Sequence, residues 1–448
     1  MDAGLLISSV VEHKDIGSLV TAYYTQVGRP ILDFLHLIFD NVFDITLFLA
    51  IILSVLYFYF SINSFFLKDK KRNWRFDEKK APFVTVQIPT YNELVAIRCA
   101  KRCLDFNYPK NRYEIIIGDD SKDKRISKKL DEFAKKHSLV KITRRGNNKG
   151  YKAGNLNHML KFSKGDILVL FDSDFTPSDG FLRKIVAPFM HDNNIAGVQA
   201  RWKSVNTNQN PVTLLGSTII SVFHFITLPF VYKKRRLSFL CGSAEAVRKD
   251  TLVKLGGWED GSLTEDIECS LRLLNNGYKI EYLDDLECGG EVPHKPRDLY
   301  KQQMRWAYGV IKSFKDHSKT IIRNKNLDVQ DRLLIHIMLS GYLLSVLFIL
   351  LFLTGFLTLI THRPEPIDFA KFFTDLGRNV LLTSGILVAS MVALTKTSNL
   401  KRLPSMVYSS FRYGLIVTFY VNVGIFKVLI KKPMQWYMLN KLGNETIQ

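Results

Sequence analysis

Two acids stand two residues apart in "FDSD", Asp172 and Asp174, directly after the apolar run "ILVL". Side chains along a strand repeat every second residue, so both carboxylates reach the same face at the strand's end. Carboxylates held that close repel unless a cation lies between them. Mg2+ or Mn2+ shared with a diphosphate would serve, and a solvated turn is the plain alternative. Further on, "GSLTEDIECSLRLLNNG" (261–277) reads as a helix closed by Gly277, with Ser262 and Glu265 at capping-box spacing. Asp266 is then left without a structural task, and a carboxylate at a helix start can take the proton of a hydroxyl. The stretch "YKQQMRW" (300–306) places Gln302, Arg305 and Trp306 on one helical face. Arg305 offers paired hydrogen bonds to a departing phosphate, and the Trp306 ring offers a flat apolar surface to a sugar. The same face also fits a juxtamembrane helix anchored by its tryptophan.

Three weaker signals accompany these. "PTYNE" (89–93), with Pro89, Tyr91 and Glu93, ends an apolar strand where contacts to a nucleoside would fall, although Asn92 also suits a helix N-cap. In "DDS" (119–121), Asp120 could accept a hydrogen bond from a base or ribose, with helix capping as the alternative. "KGYKAGNLN" (149–157) offers Lys149 and Lys152 to phosphates beside a helix start, or forms a solvated basic turn.

The elements that must carry these residues alternate. "FVTVQIP", "YEIIIGDD", "VKITRR", "DILVLFDSD" and "AGVQARW" read as strands, and "ELVAIRCAKRCL", "SKKLDEFAKKH" and "KAGNLNHMLKFS" as helices between them. Such alternation predicts a largely parallel α/β sheet, with ligands beyond the C-terminal strand ends. Two of the strands end in acid clusters.

Apolar blocks flank this domain. Residues 45–67 are long and apolar enough to span a bilayer, and no A-x-A site follows, so a cleaved signal peptide is not expected. Residues 68–80 hold seven basic and three acidic residues, which predicts an extracytoplasmic segment 1–44 and a cytosolic domain over 80–325. Interfacial helices are expected at about 208–235 and 297–322, and spans at 333–360 and 380–396. The stretch 405–431 is expected to be interfacial, re-entrant or transmembrane, before a cytosolic tail 432–448. The net charge of +20 is assigned to membrane faces and a nucleotide-sugar pyrophosphate; no basic–aromatic module for nucleic acid is present. Five cysteines without paired metal-ligand spacing fit a reducing compartment.

Taken in order, Asp119-Asp120-Ser121, Asp172-Ser173-Asp174, Thr264-Glu265-Asp266 and Gln302-Gln303-Met304-Arg305-Trp306 resemble the signature of the family 2 inverting glycosyltransferases of the cellulose synthase, hyaluronan synthase and plant mannan synthase type. "VQARW" (198–202) and "ECGGEVPHKPRDLYKQQMRW" are similar to the mannan and glucan synthase-like branch. The resemblance implies a Rossmann-like GT-A fold with Asp120 at the base, and Asp172 and Asp174 at the diphosphate and an Mg2+ or Mn2+ ion. It implies Asp266 as general base with Glu265 beside it, and Gln302, Gln303, Arg305 and Trp306 at pyrophosphate and acceptor. His294 is a further candidate for the diphosphate or metal, against a plain surface role. "WYMLNK" (436–441) resembles the family's mobile gating segment through Trp436 and Lys441, with Leu439 where a threonine would stand. The implied function is transfer from a UDP- or GDP-hexose to a growing β-linked polysaccharide, processive and coupled to secretion. A single transfer to a lipid acceptor, as in ceramide glucosyltransferases, is the alternative. An integral protein of the plasma membrane, or of Golgi or ER in a eukaryote, is expected, in contact with membrane lipids and with oligomerisation open.

Overall fold

The structure, a computed structural model, describes residues 20–21, 23–67, 74–363, 368–439 and 441–443. Most of the expected outer segment, the basic cluster 68–73, Asn440 and the tail beyond 443 lie outside the described residues. The chain divides into two compact units, one of Met1–Leu56 with Leu344–Gly385 and one of Tyr57–Leu343 with Ile386–Gln448.

The larger unit is built on seven strands: β1 (Val84–Thr90), β2 (Tyr113–Asp119), β3 (Val140–Thr143), β4 (Ile167–Leu170), β5 (Ile195–Ser204), β6 (Glu245–Arg248) and β7 (Lys279–Gly290). Their order is β3-β2-β1-β4-β6-β5-β7. All neighbours run parallel except β6, which is antiparallel to both β4 and β5. Strands covered on both faces read as apolar runs rather than as alternating ones, as β4 and the Ile115–Ile117 stretch of β2 do. By contrast β1 alternates, and its buried Thr85 and Gln87 donate to Glu114 and Ser163. Successive residues divide between the two faces. Ile115, Ile117 and Val169 join a core with Cys99, Leu182 and Ile185, whereas Ile116, Leu168 and Leu170 join one with Leu156, Met159 and Leu271. Helices Val95–Leu104 and Phe181–His191 supply the first layer, and Tyr151–Leu160 and Glu265–Asn275 supply the second.

Several local expectations are corrected. The helix of the "TED" stretch starts at Glu265, with Thr264 as N-cap and no side-chain cap, so the Ser262–Glu265 capping box does not form. Glu265 is drawn away by a buried lysine described below. Asn92 caps no helix; its side chain accepts from the backbone N–H groups of Lys122 and Asp123 and joins the two loops at the sheet edge. Strands β6 and β7 were not anticipated. The apolar block 333–360 is broken, because a helix Val329–Leu339 is followed by a turn at Gly341–Leu343 before Leu344–Thr361 begins.

Among the described residues, four helices are long and apolar enough to cross a membrane: Tyr24–Phe66, Pro211–Arg235, Gly341–Thr361 and Leu400–Leu429. The pair Phe369–Leu382 and Gly385–Lys396, bent by 52°, makes a fifth if counted as one span. The helix at Pro211–Arg235 is 83% buried within the protein over its apolar window, whereas Gly341–Thr361 is 6% buried. In the smaller unit, Asp33 pairs with Arg29 at 2.6 Å and Arg363 at 2.8 Å, and the Ser54 hydroxyl accepts from the Gly385 N–H.

Candidate active site

Because β1, β2 and β4 are parallel, their C-terminal ends meet at one edge of the sheet, and the loops that follow open into a cleft of about 280 Å3. Pro89 near the end of β1, Tyr91 and Glu93 just after it, Asp120 after β2, and Asp172 and Asp174 after β4 all line it. Asp119 does not; it is spent on structure, accepting from Ser121 N–H, the Ser127 hydroxyl and Arg144. Burial pushes its carboxyl up, but these bonds outweigh burial and hold it below the usual range. Asp120 is gripped by Arg145, whose Nη2 lies 2.6 Å and Nε 3.0 Å from its oxygens. Arg145 also donates to the backbone carbonyls of Lys149 and Tyr151, which ties the β2 loop to the start of helix Tyr151–Leu160.

Lys152, on that helix, is the hub of the site. Its Nζ lies 2.9 Å from Asp172 and 3.0 Å from Glu265, and it donates to the Gly242 carbonyl. Burial alone would lower its pKa; Asp172, Glu265 and Glu245 reverse this and raise it, so it stays charged. In return, Asp172 is held below the usual carboxylate range, against burial, chiefly by Lys152 and Lys441. Asp266 also faces the cleft, and its carboxyl is pushed up to about 7 by burial and by the neighbouring Glu265. A carboxylate at that value can both lose and accept a proton near neutral pH.

The helix Pro296–Arg323 brings Gln302, Arg305 and Trp306 to the opposite wall. It lies against helix Leu415–Leu429 so closely that a Cβ on Gly424 would meet the Met304 carbonyl at 2.5 Å. Arg305 donates to the Leu263 carbonyl at 2.9 Å and lies 4.1 Å from the centre of the Trp436 ring. Trp436 stacks on Tyr151 at 6.1 Å, and Tyr437 donates to Asp298. The tail thus runs across the cleft, and Lys441 ends among the acids: Nζ is 2.8 Å from Asp174, 3.4 Å from Glu93 and 2.9 Å from the Ser173 hydroxyl.

A cation is therefore wanted at Asp174 and Glu93, and an ammonium stands in for one. The oxygen donors of Asp172, Asp174 and Glu93 suit Mg2+ or Mn2+, ions that take one or two carboxylates and complete their shell with water and phosphate. Among the described residues no three His, Cys, Asp or Glu side chains converge as a ready-made metal cage. The donor set fits a metal brought with a diphosphate rather than a resident one.

Not every candidate reaches the cleft. Lys149 is exposed and absent from its lining, as is Gln303, which is buried with its side-chain nitrogen unpartnered. His294 is also outside the lining; its backbone carbonyl accepts from Asn210. Sequence reasoning missed Arg145, Tyr151 and Glu245. Glu245 had one readable signal, an acid inside the apolar stretch "FLCGSAEAV".

Residues 85–256 match the model of Glycosyl transferase family 2. The chain is 31% identical over 314 residues to glucomannan 4-beta-mannosyltransferase 7 of Arabidopsis thaliana, covering 64% of this chain and 56% of that one. It is 30% identical over 239 residues to the probable glycosyltransferase YdaM of Bacillus subtilis (strain 168), covering 53% and 57%. It spans between 46% and 66% of the length of these and similar curated relatives. Among solved structures, the mannosyltransferase PcManGT of Pyrobaculum calidifontis, in complex with GDP-Man and Mn2+, superposes with a TM-score of 0.63 at 18% identity, over 89% of this chain and 99% of that one. Residues 85–256 are thus similar to a family 2 glycosyltransferase domain, and the chain shares its fold, a GT-A sheet, with that solved mannosyltransferase.

Proposed function

We propose that this protein is a membrane-embedded inverting glycosyltransferase that moves a hexosyl group from a nucleotide diphosphate sugar to a growing β-linked polysaccharide. One observation carries the reading: a single cleft collects the Asp172–Asp174 pair, the near-neutral Asp266 and the Arg305–Trp306 face. A mannosyl donor is the first to test, since glucomannan mannosyltransferases stand among the relatives.

Asp120, held by Arg145, and the Tyr151–Trp436 pair border the nucleoside end of the cleft. Asp172, Asp174 and Glu93 would hold the divalent ion, which when bound supplies charge neutralisation to the leaving diphosphate. Lys152 keeps Asp172 ionised and in place. The acceptor hydroxyl oxygen attacks the anomeric carbon from the face opposite the nucleotide. As the new C–O bond forms, the bond to the diphosphate oxygen breaks, and the hydroxyl proton passes to Asp266. Arg305 supplies fixed positive charge as the diphosphate departs. Trp306, half-buried at the wall, offers a surface to the acceptor ring. The apolar helices and the tryptophan-bearing helix Pro296–Arg323 support a site set beside a bilayer, where a polymer could be passed on.

Asp266→Asn keeps shape and removes the base. Transfer is expected to vanish while nucleotide-sugar binding, followed by calorimetry, stays within about twofold. Lost binding in a folded variant would show that Asp266 holds the donor instead.

A further inference from the structure

Glu245 is the first residue of β6 and has no accessible surface. A charged residue so placed is rare unless paired, yet among the described residues no lysine or arginine forms an ion pair with it, and the Lys152 charge acts on it only at a distance. One carboxylate oxygen accepts from two successive backbone N–H groups, Cys241 at 3.0 Å and Gly242 at 2.7 Å. The other oxygen is buried with no hydrogen-bond partner. Gln199 assists from β5, accepting from the Cys241 N–H at 2.7 Å and donating to the carbonyls of Ser243 and Ala200. The turn so held is conformationally demanding, with φ of +87° at Gly242 and +50° at Ala244.

This turn touches the chemistry on two sides. The Gly242 carbonyl accepts from the Lys152 ammonium. A Cβ on Gly242 would sit 3.1 Å from an Asp266 carboxylate oxygen and 3.4 Å from the Lys152 nitrogen, so the bare backbone is the floor against which both lie. Ser243 extends the contact, because its hydroxyl accepts from the Asp172 N–H at 2.9 Å.

We propose that Glu245 is a positioning residue for sugar transfer: by clamping the Cys241–Gly242 turn from beneath, it fixes the backbone surface that sets the Asp266 carboxylate and the Lys152 ammonium relative to the reacting atoms. The proposal rests on the reading of Asp266 as the base. Glu245 itself touches no substrate. Burial and the nearby Asp266 charge push its carboxyl up to about 8, so at pH 7 it is mostly the neutral acid, which glutamine mimics in shape and in its accepting oxygen.

The test compares Glu245→Ala and Glu245→Gln in the full-length protein, in lipid nanodiscs, with two readouts. Per folded molecule, Glu245→Ala is expected to lose about 100-fold in kcat, the scale of a misplacement of about 1 Å, with donor KM within about twofold. Glu245→Gln is expected to restore kcat to within about threefold of the parent, since its amide oxygen replaces the accepting oxygen. Amide hydrogen exchange over residues 239–245 reads the clamp without any turnover, and should speed up at least about tenfold in the alanine variant alone. Equal losses in both variants, or a kcat loss matched by a rise in donor KM, would overturn the positioning role. Unchanged exchange in the alanine variant would overturn the clamp. If the parent protein transferred no sugar at all, the proposed function would fall, and unchanged or altered exchange would still decide whether Glu245 holds the turn.

Discussion

Replacing Lys152 with methionine removes the one ammonium that bridges Asp172 and Glu265 while keeping most of the side chain's volume. The lysine side chain is 10% exposed, Glu265's 4% and Asp172's 31%. Losing one partner of a buried ion pair costs about 3–5 kcal/mol. The Asp172 pairing is part-solvated and contributes no more than about 1 kcal/mol of this, so the buried Glu265 dominates. We take about 3 kcal/mol at pH 7.5, the low end, because an abandoned acid can take up a proton. At about 2–4 °C per kcal/mol, Tm should fall by about 6–12 °C. The sign with pH follows from the same acids. A buried carboxylate stripped of its counter-charge is costly only while ionised, so the penalty shrinks as falling pH protonates it. Melting of parent and variant, followed by tryptophan fluorescence in detergent between pH 5 and 8, should show the gap closing toward pH 5. A gap below about 2 °C at pH 7.5, or one independent of pH, would refute the role of Lys152 as buried counter-charge.

Two further outcomes follow from the same site. Since Asp266 must be ionised to take a proton and its carboxyl is raised to about 7, kcat should climb through that pH rather than near pH 4, and a flat profile from pH 5 to 8 would contradict the assignment. Lys441→Ala frees Asp174 and Glu93 from an ammonium, so Mn2+ titrated without donor, read by electron paramagnetic resonance, should bind about tenfold more tightly. Weaker or unchanged Mn2+ binding would show that the lysine and the metal do not compete.

How much of this was legible in the sequence depends on range. The strand of "ILVL" and its paired acids are local features, since a run of buried aliphatics and a period of two suffice to read them. β6 was not, because "EAVR" is four residues long and antiparallel to both neighbours, so only the sheet around it makes it a strand. The capping box failed for an instructive reason. Spacing alone favoured Ser262 and Glu265, but the buried Lys152, 113 positions away in sequence, offers Glu265 a stronger partner. Arg145 was likewise invisible as the grip on Asp120, since its role arises only when the loop after β3 folds back over β2. The tail is a long-range case too. Trp436 and Lys441 could be noticed by type and spacing, whereas their separate partners, Arg305 and Asp174, belong to distant elements. The break at Ser340–Leu343 went unseen because the residues on either side are equally apolar.

The most direct test of sugar transfer itself uses purified protein in lipid nanodiscs with Mg2+ or Mn2+ and a panel of radiolabelled GDP- and UDP-hexoses, products being separated by solvent extraction, size and digestion with β-specific glycanases. Water-soluble label of high mass from one donor, released by a β-specific enzyme, is the expected result. Low-mass label extracted into organic solvent would contradict the polysaccharide acceptor, and no label from any donor in a folded, nucleotide-free preparation would contradict glycosyl transfer altogether.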